Sequence, residues 1–288
     1  MSSARLRAFL AVARQGSFSA GARALGLSQP TLTAQVQALE QQHNVELFIR
    51  RGRRISLSEV GLKLLPIAQQ LTALETDAYN LLHDSGRLER GHLKLGAVGP
   101  FHVIEMVDAY RQCQPSIEIS IRIGNSASVL ADLENYITDI AVLAGSQDDP
   151  RFMTHCYARH PVVLFAHISH PFSKRTSIQL DELNQQSLLR REKGSTTRDA
   201  LDKVLKQAGI QLQMSMEIGS REALREAVIR GLGIGAVSEA EFIAHPDIRM
   251  IRIVGNPVKT ETYVYCLAER RQSLLIASFF EQACSVKK

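Results

Sequence analysis

The sequence predicts an α/β protein: an all-α-rich head with a winged helix-turn-helix pattern, a long linker helix, and a larger two-lobed body. Three observations carry this. Positive charge is concentrated in the first 58 residues, which also hold two short helical patterns joined by a glycine turn. An uninterrupted heptad pattern follows. Beyond Gly91, strand and helix patterns alternate, and the alternation restarts once.

The charge asymmetry is sharp. Residues 1–58 contain eight arginines and two glutamates, 8 − 2 = +6, so with a total of +5 the other 230 residues sum to 5 − 6 = −1. A basic head on a near-neutral body implies that the head alone meets a polyanion. The four cysteines form no C-x-x-C pair and no cluster with histidine at metal-ligand spacing, so reduced structural thiols, no metal and no cofactor are expected. The apolar run Leu6–Ala13 is broken by Arg14 and Gln15, and no run reaches membrane-spanning length. A cytoplasmic protein without a membrane partner is expected.

In the head, Leu6, Phe9, Leu10 and Ala13 share one helical stripe, and Gly16 ends it. "SFSAGARALG" begins a second helix that Ser17 or Ser19 can cap and Gly26 can end. A third follows in "SQPTLTAQVQALEQQH", with Ser28 as N-cap and Pro30 in the first turn, where no N–H partner is lost. Leu32, Val36 and Leu39 face the core, which turns Pro30, Thr33, Ala34 and Gln37 outward. Thr31 lies on the shoulder of that face and Gln29 at the helix tip. A tight turn before a helix of small polar outer residues suits the major groove of DNA. There Gln29 can pair with an adenine edge and the threonine methyls can touch thymine. An ordinary helix pair with a solvated face is the alternative. "VELFIRRGRRISLSEVG" then reads as a hairpin whose arginines, Arg51, Arg53 and Arg54, reach phosphates or a minor groove.

These residues, "LRAFLAVARQGSFSAGARALGLSQPTLTAQVQALE…VELFIRRGRRISLSEVG", resemble the LysR-type transcriptional regulators across the whole head. The resemblance implies a winged helix-turn-helix, a dimerisation helix and a two-lobed effector domain similar in fold to periplasmic binding proteins. It implies DNA-binding residues Gln29, Pro30, Thr31, Thr33, Arg51, Arg53 and Arg54. Many members carry an arginine on the recognition helix where this chain has Ala34, so no operator preference can be borrowed. The phrasing of the head also looks like members associated with aminoethylphosphonate catabolism.

Between Ser58 and about Asp84, Leu64, Ile67, Leu71, Leu74, Ala78 and Leu81 recur at intervals of 3, 4, 3, 4 and 3. That is a heptad seam, expected to pair two copies, with a kink or boundary at Pro66. "DSGRLERGHL" supplies a hinge. The domain reading is therefore a head at 1–58, a linker helix and hinge at 59–91, and an effector domain at 92–288. The first lobe is expected at about 92–161 and 268–288, and the second at about 162–267, around a mainly parallel sheet.

Ligands of open α/β folds sit where strand ends meet helix N-termini. Three junctions qualify: Gly99, Pro100, Phe101 and His102; Ser126 and Ser128 beside Asn125; and Ser195, Thr196, Thr197 and Arg198 in "REKGSTTRDAL". The last combines backbone donors, hydroxyls and a guanidinium fork, which is a seat for an anion. Plain N-capping is the alternative for Ser126 and Ser128, and a satisfied surface histidine for His102. "GLGIG" at 231–235 resembles a dinucleotide loop but lies between a helix and a strand, the reverse of the order that motif requires. No hydrolase, P-loop or zincin motif is present, so a regulator is expected rather than an enzyme or a free solute-binding protein. The expectation is a dimer, or paired dimers in a tetramer, on a double-stranded operator. A small anionic metabolite (phosphonate, phosphate or carboxylate) in the cleft would alter DNA bending and RNA polymerase recruitment.

Overall fold

The computed structural model describes residues 2–51, 54–83, 90–146 and 148–285. The chain divides into two compact units, one of Met1–Arg87 with Asn135–Ile137 and the other of Leu88–Glu134 with Thr138–Lys288.

The first unit begins with α1 (Ser3–Gln15), α2 (Phe18–Ala24) and α3 (Gln29–His43). Gly16 closes α1 at φ 62°, its N–H bonded to Val12 O. Ser17 caps α2 by accepting from Ala20 N at 3.4 Å. Ser28 caps α3 by accepting from Thr31 N at 3.2 Å. Of the stripes read from the sequence, Leu6, Phe9, Leu10, Leu32, Val36 and Leu39 are buried and Ala13 is half-buried. Ala8, Val12, Phe18, Ala22, Leu32 and Val36 form one cluster, and Leu6, Phe9, Leu10, Leu39 and Leu47 another. Phe48 joins them, its ring 5.4 Å from Phe9 and 5.6 Å from Phe18. Each such fully buried large side chain contributes roughly 2 kcal/mol.

The strands β1 (Phe48–Arg51) and β2 (Arg54–Leu57) form the antiparallel wing. The long helix α4 (Glu59–His83) follows. At 25 residues it spans about 37 Å. It runs through Pro66, so the boundary expected there is absent. Ala68 is fully buried, and Leu64 and Leu65 pack against the same core cluster, so burial on both sides holds the helix together across the proline. Its start is fixed by Ser58, whose hydroxyl accepts from Gly61 N at 3.0 Å and donates to Glu46 O at 2.5 Å. A Cβ at Gly61 would lie 2.2 Å from Leu47 O. Gly61→Ala is therefore expected to destabilise the head by about 1–3 kcal/mol, because the helix must move off the wing. Thermal unfolding of the full chain checks this; an unchanged midpoint would contradict the close approach.

The second unit alternates β3 (His92–Ala97), α5 (Pro100–Cys113), β4 (Glu118–Ile123), α6 (Ser126–Glu134) and β5 (Ile140–Ala144), then enters a 16-residue strand, β6 (Phe152–His167). The chain continues through β7 (Ser177–Ile178), β8 (Ser187–Arg191), α7 (Thr196–Gln207), β9 (Gln213–Ile218), α8 (Arg221–Ile229), β10 (Gly235–Ser238), β11 (Ile248–Ile253), β12 (Lys259–Leu267) and α9 (Leu274–Ser285). The main sheet runs β4-β3-β5-β12-β6-β11-β7, with β10 also on β6, and β8 pairs β9 separately.

Two expectations are corrected here. The sheet is mixed rather than mainly parallel: β3 is parallel to β4 and β5, but β12, β10 and β11 are antiparallel to β6. β12 lies between β5 and β6 and runs opposite to both, so the direction of the central strands is set by pairing between segments far apart in the chain, which local patterns do not specify. The return to the first lobe also comes earlier than 268, because Thr262–Tyr265 of β12 pair with residues 141–144 of β5. The lobes thus meet along β6 and β12. Residues Val162 and Leu164 of β6 face one second-lobe core with Leu201 and Leu205, while Val163 and Phe165 face another with Leu224 and Val228. In the first lobe Leu95, Met106 and Tyr110 pack with Phe279 of α9, so the last helix returns there.

Candidate functional site

Four helices begin around one cavity of about 340 Å³ in the second unit. Gly99 and Pro100 open α5, Asn125 and Ser126 open α6, Ser195 and Thr196 open α7, and Ser220 and Arg221 open α8; all eight line the cavity. The first two helices belong to one lobe and the last two to the other. Three starts are capped in the same way: Ser128 N donates to Asn125 Oδ1 at 2.9 Å, Arg198 N to Ser195 Oγ at 3.5 Å, and Ala223 N to Ser220 Oγ at 3.0 Å. A cap engages one first-turn amide, so the amides ahead of it keep no intrahelical acceptor. Four positive dipole ends and such amides around one space favour an anion.

Two arginines line the same cavity. Arg191 pairs with Glu192 at 2.7 Å, and its guanidinium holds the Glu192 carboxyl below the usual range. Arg221 crosses between lobes: Nη1 donates to Val98 O at 2.7 Å, and Nε lies 3.0 Å from Glu241 Oε2. Burial pushes the Glu241 carboxyl above its ordinary value, opposed by Arg221 and Arg191. The guanidinium fits because residue 99 is glycine; a Cβ there would stand 2.5 Å from Nη1.

The structure sorts the residues singled out in the sequence. Gly99, Pro100, Ser126, Ser195 and Thr196 line the cavity. Ser128 does not; it donates its hydroxyl to Asn125 O at 3.0 Å, so it secures the start of α6. Phe101 lines a neighbouring, more apolar cavity of about 300 Å³. His102 is buried rather than on the surface, stacked on His160 at 5.2 Å and edge-on to Tyr157 at 5.6 Å. With buried Thr197 it borders a small space of about 20 Å³ behind the cleft.

Arg198 does not line the cavity. Its Nη1 donates to Arg191 O at 2.6 Å and to Glu217 Oε2 at 2.9 Å, and its Nε lies 3.6 Å from Asp202. The fork is occupied away from the cavity, because residues 198 and 202 share one face of α7, where Arg198 meets Glu217 of β9 and Asp202 meets Arg190 of β8. Arg198→Ala is accordingly expected to lower stability by about 1 kcal/mol while leaving ligand affinity within about twofold. Calorimetric titration of an anion that binds the native chain checks this; a large loss of affinity would return Arg198 to the site.

The cleft residues that sequence reasoning passed over are Arg191, Ser220 and Arg221. A signal was present: "GSREAL" at 219–224 repeats the glycine–serine helix start of "GSTTRDAL".

In the first unit the tip of α3 is exposed at Gln29, Pro30 and Thr31 and half-buried at Thr33. Arg51 and Arg54 form the last register pair of the wing, and Arg53 lies outside the described residues.

Residues 3–62 match the model described as the bacterial regulatory helix-turn-helix protein, lysR family, and residues 86–285 match the LysR substrate binding domain. The chain belongs to the LysR family. It is a DNA-binding transcriptional regulator with an effector-binding domain, and the family's members are regulators rather than enzymes. This regulator is 30% identical over 279 residues to the HTH-type transcriptional activator CmpR of Synechocystis, covering 95% of this chain and 91% of that one. A full-length OxyR variant from Pseudomonas aeruginosa shares the fold at a TM-score of 0.80 and 22% identity, covering 98% of this chain and 94% of that one. The regulatory domain of Synechocystis CcmR, solved in complex with 2-PG, shares it at a TM-score of 0.62 and 24% identity, covering 69% of this chain and 98% of that one. No helix among the described residues of this LysR regulator is long and apolar enough to cross a membrane.

Proposed function

We propose that this regulator senses a small anion in the cavity between its lobes and transmits occupancy to an operator held by a dimer of its heads. The observation that carries the reading is the convergence of four helix starts, three of them capped, and two arginines, drawn from both lobes, on one space. A ligand touching both lobes prefers one lobe arrangement, and only that differential affinity shifts the equilibrium. Phosphonates, phosphates and carboxylates all offer the oxygens that helix-start amides and hydroxyls bind. The 2-PG bound by CcmR and aminoethylphosphonate are the first compounds to test.

On the DNA side, Gln29, Pro30, Thr31 and Thr33 meet base edges and Arg51, Arg53 and Arg54 meet the backbone. Two copies join through α4, and pairs of dimers form a tetramer whose geometry sets DNA bend and access for RNA polymerase. Its operator places the protein in the cytoplasm. A thermal-shift series of small phosphonates, phosphates and carboxylates tests the sensing claim, since a ligand of the native state raises the midpoint. A positive compound should lose its effect when Thr196→Glu places a carboxylate at the cleft end of α7. A shift that survives this change would put the ligand elsewhere.

A further inference from the structure

Gln29 is the first residue of α3 and Ser19 the second of α2, and both are exposed. The Ser19 hydroxyl donates to Gln29 Oε1 at 2.7 Å. Counting donors and acceptors shows what this bond does. A serine hydroxyl has one proton to donate; given to Gln29, it is no longer available to a phosphate oxygen. A glutamine carboxamide has two donors and an oxygen with two lone pairs; with one lone pair engaged, two donors and one acceptor site remain. The bond also selects which end of the amide faces Ser19. A free glutamine at a helix tip must lose side-chain freedom when it meets a base, and must choose between two amide orientations. Beside it, the Ser28 and Thr31 hydroxyls are hydrogen-bonded to each other at 2.7 Å, so Thr31 is also held locally.

We propose that Ser19 is a positioning residue for sequence readout: its hydroxyl holds the Gln29 carboxamide so that an N–H and the remaining carbonyl lone pair meet one base edge together. A donor beside an acceptor complements the N7 and N6–H₂ of adenine in the major groove. Ser19 itself touches neither base nor phosphate. The proposal rests on the reading that Gln29 meets DNA.

The test uses the full chain and a duplex selected from a randomised pool by the wild-type protein. Gln29→Ala is expected to reduce the preference for the selected base at one position of each half-site by about tenfold. Ser19→Ala should reduce the same preference by about threefold, at the same position, with affinity for a scrambled duplex and the salt dependence unchanged. Ser19→Thr, which keeps the hydroxyl, should restore the preference. In the Gln29→Ala background, Ser19→Ala should have no further effect, since a residue acting through another is silent once that residue is gone.

Additive losses from the two substitutions would overturn the proposal while leaving Gln29 as a base reader. A uniform loss of affinity with a shallower salt slope in Ser19→Ala would do the same, because it is the mark of a phosphate contact. If Gln29→Ala changes no base preference, the reading of α3 fails and the proposal falls with it.

Discussion

Replacing Arg221 with alanine is expected to abolish the response to the effector and to cost the body about 3 kcal/mol of stability. Both effects follow from one position. The guanidinium lines the cavity between the lobes, donates to Val98 O of the opposite lobe at 2.7 Å, and stands 3.0 Å from Glu241. The two side chains are 21% and 11% exposed, so the pair is largely removed from solvent screening. Alanine leaves Glu241 buried without its neighbouring cation, and that uncompensated charge is the main cost.

The cost depends on pH in a direction fixed by Glu241. Its carboxyl already titrates above the ordinary value of 4.5 because of burial, and losing Arg221 removes the main opposing influence. A folded-state pKa above the unfolded one stabilises the fold in acid, and that contribution is lost as pH rises through the folded value. The deficit of Arg221→Ala relative to the native chain is therefore smallest below 4.5 and grows as the pH rises from there. Denaturant titrations across that range check it; a deficit that does not change with pH would show that Glu241 is not what the substitution strands.

Replacing Leu71 and Leu74 together with glutamate is expected to separate the subunits and weaken operator binding by about a hundredfold. In the single chain Ile67, Leu71, Leu74 and Leu81 are 53%, 42%, 41% and 63% exposed, although they follow the heptad interval. Leu64, the first of the series, packs against the core of the head, so the unpartnered stripe begins after it. Covering each remaining leucine by a second copy contributes about 1–2 kcal/mol, and two carboxylates at the same seam oppose it. A dimer engages its second half-site at a high effective concentration that a monomer lacks. Sedimentation and operator titration check the pair of effects. A double variant that remains dimeric would move the interface off α4.

The parts of this molecule legible in the sequence are those set by neighbours along the chain. Ser28, Pro30, Leu32, Val36 and Leu39 specify the cap, first turn and buried face of α3 within one segment, and the structure reproduces each. The glycine–serine start of α7 was visible for the same reason. The direction of Arg198 is not legible locally, because its partner Glu217 lies on a separate strand. Arg221 was passed over because its partner Val98 is 123 positions away. The placement of β12 likewise turns on pairing with β5, more than a hundred residues earlier in the chain. Local rules locate a helix start; the residues that converge on it from other elements come from the tertiary fold.

An anion seated on these helix starts must protect the amides it engages. Hydrogen exchange of the full chain tests this most directly, with and without the anion that gives the largest thermal shift. First-turn amides have no intrahelical acceptor and exchange readily unless a ligand accepts from them. New protection is expected at the starts of α5, α6, α7 and α8, in residues 101–102, 126–127, 196–197 and 221–222, all four together. Protection confined to one lobe, or appearing at other segments while these amides stay fast, would contradict it.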